Sequence, residues 1–149
     1  MPTATAIPAP LLDEQICFAL YSASRAITSR YRELLEPLGV TYPQYLVLLV
    51  LWQDGPSTVT HLGERLQLDS GTLSPLLRRL EATGHVARSR SHDDERVVEV
   101  SLTPGGEALR EATASIPGSI CEATGLDPAA LVALQGQITA LAGSVRATL

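Results

Sequence analysis

The sequence predicts a mainly α-helical fold with one small β-hairpin, and two adjacent features of the chain lead to this prediction. Two short amphipathic segments, 58–66 and 69–83, are separated by only two residues, which is the spacing of a helix-turn-helix. Directly after them the sequence period changes to two: large residues alternate with smaller ones over 86–90 and again over 98–102, which predicts two strands joined by a polar tip. A hairpin that follows a helix-turn-helix is the wing of a winged helix-turn-helix.

Two further helices are predicted before this unit. Region 11–38 is amphipathic, with Asp13 as the expected N-cap and Gly39 as the expected end. A second helix is predicted from Tyr42 to about Gln53, and its core, 45–52, is apolar nearly all round, so we expect this core to be buried. The apolar stripe of the first helix consists of Ile16, Leu20, Ala23, Ile27, Tyr31, Leu34 and Leu38.

Prolines interrupt two of the predicted helices. Pro75 lies inside 69–83, where it is expected to kink the helix or loosen its first turns. Another helix should begin at Thr103-Pro104, because proline is tolerated at a first helical position. Pro117-Gly118 is expected to bend or break that helix.

The last predicted helix begins at Asp127-Pro128 and carries a narrow apolar seam. Such a seam fits another helix, either of the same chain or of a second subunit, and the spacing leaves both open. The first and last helices together offer more apolar surface than a small winged domain can cover, which favours dimerisation. The seam consists of Leu131, Leu134, Ile138, Leu141 and Val145.

The chain of 149 residues fits one domain, predicted over 11–149 after a flexible arm, 1–10. The arm has no basic start, and the sequence shows no apolar run near the roughly 20 residues of a membrane span. We therefore expect a cytoplasmic protein with no membrane contact. The two cysteines and three scattered histidines predict no metal site, no permanent disulfide and no cofactor.

The distribution of charge is compatible with DNA binding although the net charge is −5. All 11 basic residues are arginines, and five of them lie within 78–96, a segment of net charge +1 in a remainder of −6. A local arginine cluster can neutralise phosphates while the rest of the surface stays acidic. We assign DNA binding to about 56–103 and dimerisation to about 11–38 and 104–149.

The second helix of the helix-turn-helix should place its exposed N-terminal hydroxyls in the major groove. Arginines farther along it would contact the DNA backbone. The arginine at the hairpin tip would enter the minor groove, oriented by a neighbouring acid through a bidentate pair. A protein-interaction module with solubilising arginines is the alternative. The predicted DNA-binding residues are Ser70, Thr72, Ser74, Arg78, Arg79, Arg88 and Arg96.

The stretch 62–106, LGERLQLDSGTLSPLLRRLEATGHVARSRSHDDERVVEVSLTPGG, resembles the MarR family of winged-helix regulators. Its pattern LDxxTLxxxLxxLExxGxVxRxRxxxDxR, followed by LTxxG, carries the likeness. The resemblance implies a homodimer joined through its terminal helices. Each subunit would read one half of a pseudo-palindromic DNA duplex, with the half-sites about 34–36 Å apart.

The N-terminal part, LDEQICFALYSASRAITSRYRELLEPLGVTYPQYLVLLVLW, resembles the organic-hydroperoxide-sensing (OhrR-type) branch of this family. The resemblance implies a reactive thiol at Cys17 held by the hydroxyls of Tyr31 and Tyr42, with Tyr21 nearby. Tyr31 is 14 residues farther along the same predicted helix, a rise of about 21 Å. The tyrosine that holds Cys17 should therefore belong to the other subunit. Without the resemblance, Cys17 would be read as an inert small hydrophobe.

The second cysteine, Cys121, makes the sequence similar to the two-cysteine kind of that branch, in which it would resolve the sulfenic acid of Cys17 as an intersubunit disulfide. The plain alternative is a buried residue. A disulfide needs Cα atoms within about 7 Å, so the reduced dimer would have to rearrange.

Three functions compete on the sequence. The first is a repressor released from DNA by oxidation of Cys17 with an organic hydroperoxide. The second is a regulator of the same family that answers to a small ligand, with no redox role for Cys17. The third, a thiol peroxidase using Cys17 and Cys121, is disfavoured because no arginine and threonine setting accompanies the thiol, so no enzyme is expected.

Overall fold

The computed structural model describes residues 10–149 and confirms the mainly helical fold with a small sheet. The predicted arm lies almost wholly outside the described residues. Short 3₁₀ turns at Leu12–Glu14 and Glu36–Leu38 flank the first helix. The helices are α1 Ile16–Leu35, α2 Tyr42–Asp54, α3 Val59–Leu66, α4 Ser70–Ala82, α5 Pro104–Ala112, α6 Ile116–Thr124 and α7 Pro128–Arg146, and the strands are β1 Ser57–Thr58, β2 Val86–Arg90 and β3 Val98–Leu102.

Side-chain caps define most helix starts. Asp69 and Asp127 accept hydrogen bonds from the first turns of α4 and α7, as predicted for helix-starting acids. Thr41 forms a full capping box with Gln44 at the start of α2. The expected cap at Asp13 is wrong: Asp13 lies in the preceding 3₁₀ turn, and Gln15 occupies the N-cap of α1 without a side-chain bond. The end of that helical region at Gly39, with φ 70°, is confirmed.

The sheet has three antiparallel strands in the order β1-β3-β2. The predicted hairpin is confirmed, with Val86 opposite Leu102 and Arg90 opposite Val98. The third strand, β1, was not predicted, because two residues are too short to show a period. It pairs with β3 and thereby fixes the end of α2 to the wing.

The core lies where α2, α3, α4 and the sheet meet. Leu48, Leu62 and Leu80 are completely buried there, together with other apolar residues of these elements. Trp52 donates its indole N–H to the carbonyl of Gly106 at 3.1 Å, which ties α5 to α2. A Cβ atom on Gly106 would lie 2.0 Å from the carbonyl oxygen of His85, so only glycine allows this approach.

The structure bears on both proline predictions. α4 runs without interruption through Pro75, so its first turns are helical, and a kink at Pro75 stays a prediction. The predicted break at Pro117-Gly118 falls earlier, between Ala112 and Ile116, and Pro117 lies in the first turn of α6, where its missing N–H costs nothing.

The helix α7 has no buried residue, and its predicted seam faces solvent in the single chain. Contrary to the sequence expectation, α7 is long and apolar enough by length and composition to span a bilayer, with a mean hydropathy of 1.2. Gln135 and Gln137 lie at its middle, where amide groups in hydrocarbon would be costly. The exposed seam therefore fits another protein surface better than lipid.

Candidate nucleic-acid interface and thiol site

The start of α4 carries the small hydroxyl residues predicted to reach DNA. Ser70 and Thr72 are exposed and Ser74 is half-buried. Asp69 accepts the backbone N–H of Thr72 at 2.7 Å, which fixes the first turn and holds the pKa of the Asp69 carboxyl below its usual range. Arg78 is exposed farther along the helix. Ser70, Ser74 and Arg78 thus lie on one side of α4, and the contacts of this helix with DNA stay a prediction.

Thr72 and Arg79 lie on another side of the same helix. Both line a cavity between α1, the start of α2 and α4, rather than the outward face that carries Arg78. The helical period explains the separation, because Arg78 and Arg79 project about 100° apart around α4. The sequence pattern predicts both arginines as contacts to the DNA backbone and gives no sign of this cavity.

The tip of the wing presents Arg96, whose side chain is 91% exposed. Asp94 accepts from both the backbone N–H of Arg96 at 3.0 Å and its Nε at 3.2 Å. Asp94 therefore orients this guanidinium through one carboxylate oxygen, and the expected bidentate pair is wrong. Arg90, which was not among the predicted residues, donates to the carbonyl of Glu95 at 2.7 Å and holds the tip closed.

Arg88 is engaged with a carboxylate rather than free for phosphate. Its Nη2 lies 3.1 Å from Oε1 of Glu81, and its Nε and backbone N–H both reach Oε2 of the same residue. The side-chain hydrogen bond from Arg88 is the main reason that the pKa of Glu81 is lowered. The pair joins α4 to β2, so Arg88 fixes the wing relative to the recognition helix.

Cys17 is the second residue of α1 and is exposed as a free thiol. In this first turn the backbone N–H groups have no helical partner, which favours an anion. Its neighbours are also uncovered, with Ile16 59% and Tyr21 60% exposed. Tyr21 lies one turn after Cys17 on the same face of α1, under the guanidinium of Arg25 at 5.3 Å.

Tyr31 and Tyr42 come together at the other end of α1. Their ring centroids are 4.4 Å apart, and Tyr45, which sequence reasoning missed, lies 5.8 Å from Tyr31. Burial first, then the neighbouring phenols, raise the pKa of Tyr31 to about 12, so its hydroxyl remains a donor. Because α1 is unbroken from Ile16 to Leu35, Tyr31 is about 21 Å along it from Cys17 of the same chain.

Cys121 lies half-buried on α6, with its Sγ 3.7 Å from the carbonyl of Leu126. The helix α6 packs against α1. A small cavity between the two helices is lined by Ala26, Ile27 and Arg30 of α1 and by Ile120 of α6. This cavity lies nine or more residues, or about 13 Å, beyond Cys17 along α1. Both cysteines are free thiols in the described chain.

The fold and the exposed α4 and wing define a winged-helix DNA-binding protein. The MarR family model matches residues 40–98. The organic hydroperoxide resistance transcriptional regulator of Bacillus subtilis is 51% identical over 109 residues, covering 73% of this chain and 74% of that protein. The chain therefore belongs to the MarR family of DNA-binding transcriptional regulators.

Solved structures of AbfR from Staphylococcus epidermidis are similar over most of the chain. Reduced AbfR bound to DNA matches with a TM-score of 0.77 and 35% identity, covering 90% of this chain and 94% of that chain. The disulfide-formed AbfR matches with a TM-score of 0.62 and 37% identity, covering 87% and 91%. The conformation described here is thus more similar to reduced, DNA-bound AbfR than to disulfide-formed AbfR.

Proposed function

We propose that the chain is a cytoplasmic, homodimeric repressor that an organic hydroperoxide releases from its operator by oxidising Cys17. One observation carries this proposal. Cys17 is exposed at one end of an unbroken α1, while the hydroxyl donors Tyr31 and Tyr42 are paired at the other end. The thiol site is incomplete in one chain, and a second copy completes it.

The uncovered apolar surfaces support a homodimer as the form that completes the site. The seam of α7 and the N-terminal part of α1 expose large apolar residues, among them Phe18, Leu134 and Leu141. Covering them with a second copy removes this surface from water, which is the main driving force of association. An antiparallel approach of two α1 helices brings each Cys17 towards the partner's Tyr31.

The chemistry at Cys17 follows from the thiolate as nucleophile. The sulfur attacks the terminal oxygen of the hydroperoxide, so an S–O bond forms while the O–O bond breaks. The sulfur is oxidised to a sulfenic acid, and the organic oxygen leaves as an alkoxide that takes a proton to become an alcohol. Phenolic donors beside the thiol stabilise the thiolate and hold it in place.

Cys121 of the partner subunit then resolves the sulfenic acid. Its sulfur attacks the sulfur of Cys17, a disulfide forms, and the hydroxyl leaves with the thiol proton as water. Because a disulfide needs Cα atoms within about 7 Å, we expect this bond to require a movement of the subunits, which changes the spacing of the two recognition helices. The lower TM-score against the disulfide-formed AbfR supports two conformations of this kind.

A sensor rather than an enzyme fits these residues. The donors beside the proposed thiol site are phenols, and reduction of the disulfide requires the dimer to rearrange again. We therefore expect one oxidation per thiol and slow recycling, in contrast to the rapid turnover of a peroxidase.

Removing the phenol donors is expected to slow oxidation without preventing it. Tyr31→Phe and Tyr42→Phe should each lower the rate of sulfenic acid formation about 10-fold, the cost of one hydrogen bond to a charged group. Stopped-flow fluorescence or a sulfenic-acid probe measures the rate, with Tyr45→Phe as the matched control. Equal rates in all four proteins would contradict the tyrosine site.

The pH dependence gives a second test of the same donors. Because the pKa of Tyr31 is about 12, its phenol stays protonated, and the oxidation rate should not decline between about pH 9 and pH 10.5. A donor with the ordinary pKa of about 10 would be lost over this interval. A fall in the oxidation rate of the wild type over this interval, absent in Tyr31→Phe, would contradict the prediction, because Tyr31 would then ionise below pH 10.5.

The wing arginine is expected to contribute to DNA affinity. Arg96→Ala should weaken operator binding about 10-fold and reduce the salt slope by about one, because one phosphate-directed charge is removed. Fluorescence anisotropy at several salt concentrations measures both values. Arg110→Ala, on α5, removes an equal charge away from the wing and should leave the slope unchanged. An unchanged slope in Arg96→Ala would contradict the assignment.

The proposed function is tested with an operator selected from random duplexes by the reduced protein. One equivalent of an organic hydroperoxide should lower the affinity of the wild-type protein for that duplex, and dithiothreitol should restore it. Release that occurs without oxidation of Cys17, or oxidation of Cys17 without any change of affinity, would overturn the proposal.

A further inference from the structure

The C-terminal end of α7 contacts the turn of the helix-turn-helix. Arg146, the last residue of α7, donates a hydrogen bond from Nη2 to the side-chain carbonyl of Gln67, which lies 79 residues earlier in the chain. Gln67 caps the end of α3, shortly before α4 begins at Ser70. The contact therefore joins the helix that carries the exposed seam to the unit proposed to read DNA.

The backbone of Gln67 has a conformation that favours glycine. Its φ of 57° and ψ of 43° lie in the left-handed region, and among residues 10–149 it is the one residue other than glycine with a positive φ. Glycine adopts this conformation freely, whereas a residue with a Cβ atom does so at a cost. The turn alone thus gives no reason for glutamine, and the hydrogen bond from Arg146 gives its side chain a role.

The turn around Gln67 is packed closely on α3 and continues directly into α4. The backbone N–H of Leu68 donates to the carbonyl of Gly63 at 3.0 Å, and a Cβ atom on Gly63 would lie 2.9 Å from the carbonyl oxygen of Leu68. Asp69 follows and caps α4 through the backbone N–H of Thr72. Because turn and cap are continuous, a displacement of Gln67 also displaces the first turn of α4.

The side chain of Arg146 is available for this contact. It is exposed, and among residues 10–149 it forms no ion pair with a carboxylate that would compete for its guanidinium. Its charge lies at the C-terminus of α7, where the unpaired helix carbonyls favour a cation. Since α7 packs against α6 and leaves its seam exposed, a movement of the seam in a dimer also moves Arg146.

We propose that Arg146 is a positioning residue for α4: its hydrogen bond to Gln67 holds the helix in the DNA-binding conformation, and a movement of α7 in the dimer breaks that bond. The positioning role stands on the contact itself, while its part in release rests on the proposed function. An interaction made in only one of two conformations shifts the equilibrium towards that conformation. The greater similarity to reduced, DNA-bound AbfR supports assigning the contact to the binding form.

The positioning role is tested first with the reduced dimer and the operator selected from random duplexes, without any oxidant. Arg146→Gln and Gln67→Gly should each weaken operator binding about 10-fold, the effect of one hydrogen bond from a charged group. The double variant should bind no more weakly than either single variant, because both changes remove the same bond. Gln67→Gly suits the left-handed backbone, so a loss of affinity in this variant does not come from strain in the turn.

The matched control is Arg110→Gln, which removes an equal charge from an exposed side chain of α5. Arg110 lies 3.7 Å from Glu107 of the same helix, so its removal should leave operator binding as in the wild type. Circular dichroism shows that each variant is folded. Additive losses in the double variant would overturn the positioning role, because two residues that act through one bond cannot lose it twice.

The spacing of the half-sites gives a readout that a merely structural role would not move. A fixed recognition helix matches one spacing, so one base pair inserted between the half-sites should weaken binding of the wild type. Only the matched operator uses the positioned helix, so the ratio of the two affinities should be about 10-fold smaller in Arg146→Gln and Gln67→Gly. The same ratio in wild type and both variants would overturn the positioning role.

The remaining outcomes separate this proposal from the proposed function. A salt slope reduced by about one in Arg146→Gln but not in Gln67→Gly would overturn the positioning role, since Arg146 would then be a phosphate contact. On treatment with an organic hydroperoxide both variants should lose about 10-fold less affinity than the wild type, because their reduced forms are already weakened. An equal loss would overturn the part of Arg146 in release. If the wild type loses no affinity on treatment, the proposed function fails, and the measurements on the reduced protein alone decide on Arg146.

Discussion

Replacing Cys17 by serine should abolish hydroperoxide-driven release from the operator while the reduced protein still binds it. Serine keeps the size and the helix position but is a far weaker nucleophile, so the S–O bond cannot form. Coupling between two sites in one protein typically changes affinity about 5–150-fold, and we expect the wild type to lose affinity within that range on oxidation. Anisotropy of a labelled operator before and after one equivalent of oxidant measures the change.

Cys121→Ser is the natural companion of this variant. It should still form a sulfenic acid at Cys17 but should not form the disulfide. Oxidation should therefore release less of this variant from the operator, and a low concentration of dithiothreitol should be enough to restore binding. A Cys17→Ser protein that still leaves the operator on treatment with hydroperoxide would contradict the role of Cys17. The response would then belong to a ligand-gated regulator of the same family.

A charge in the seam of α7 should prevent dimerisation and with it tight operator binding. Leu141 is 39% exposed in the single chain and stands between Ile138 and Val145 on one face. In a symmetric dimer, Leu141→Glu places two charges in one apolar contact, at a cost of several kcal/mol. A monomer contacts only one of the two half-sites. The operator affinity then falls by orders of magnitude, because the DNA-binding unit of the second subunit is no longer linked to that of the first.

The control for this variant is Thr139→Glu, which places the same charge on the opposite face of α7. Light scattering should give a dimer for Thr139→Glu and a monomer for Leu141→Glu, with circular dichroism to show whether the helices remain. A dimeric Leu141→Glu protein with wild-type affinity would mean that the seam packs elsewhere.

The fold could be predicted from the sequence wherever a period is long or a cap is explicit. α4 begins after Asp69 and the hairpin joins 86–90 to 98–102 as expected, because five-residue strands show alternation and an acid marks the helix start. β1 has two residues and shows no period. The sequence predicts the break before α6 at the wrong place, because Pro117 can either end one helix or begin the next. Burial of Ile116 and Ile120 favours a helix that begins there.

The candidate site was predictable only in part, for a physical reason. Sequence spacing along α1 indicates that Cys17 cannot meet Tyr31 of its own chain, and the unbroken helix agrees. Which side of α4 an arginine faces depends on its neighbours across the fold, so Arg79 at the cavity was not foreseen. The pairing of Glu81 with Arg88 likewise joins residues of different elements, and the sequence pattern carries no signal for it.

The most direct test of an intersubunit thiol switch uses two single-cysteine chains in one dimer. Cys17→Ser and Cys121→Ser are coexpressed with different tags, purified as the mixed dimer, treated with one equivalent of organic hydroperoxide and run on a non-reducing denaturing gel. The mixed dimer should give a reducible cross-linked band, while neither variant alone should do so. A mixed dimer without the band, under conditions where Cys17 forms a sulfenic acid, would contradict a disulfide between Cys17 of one subunit and Cys121 of the other.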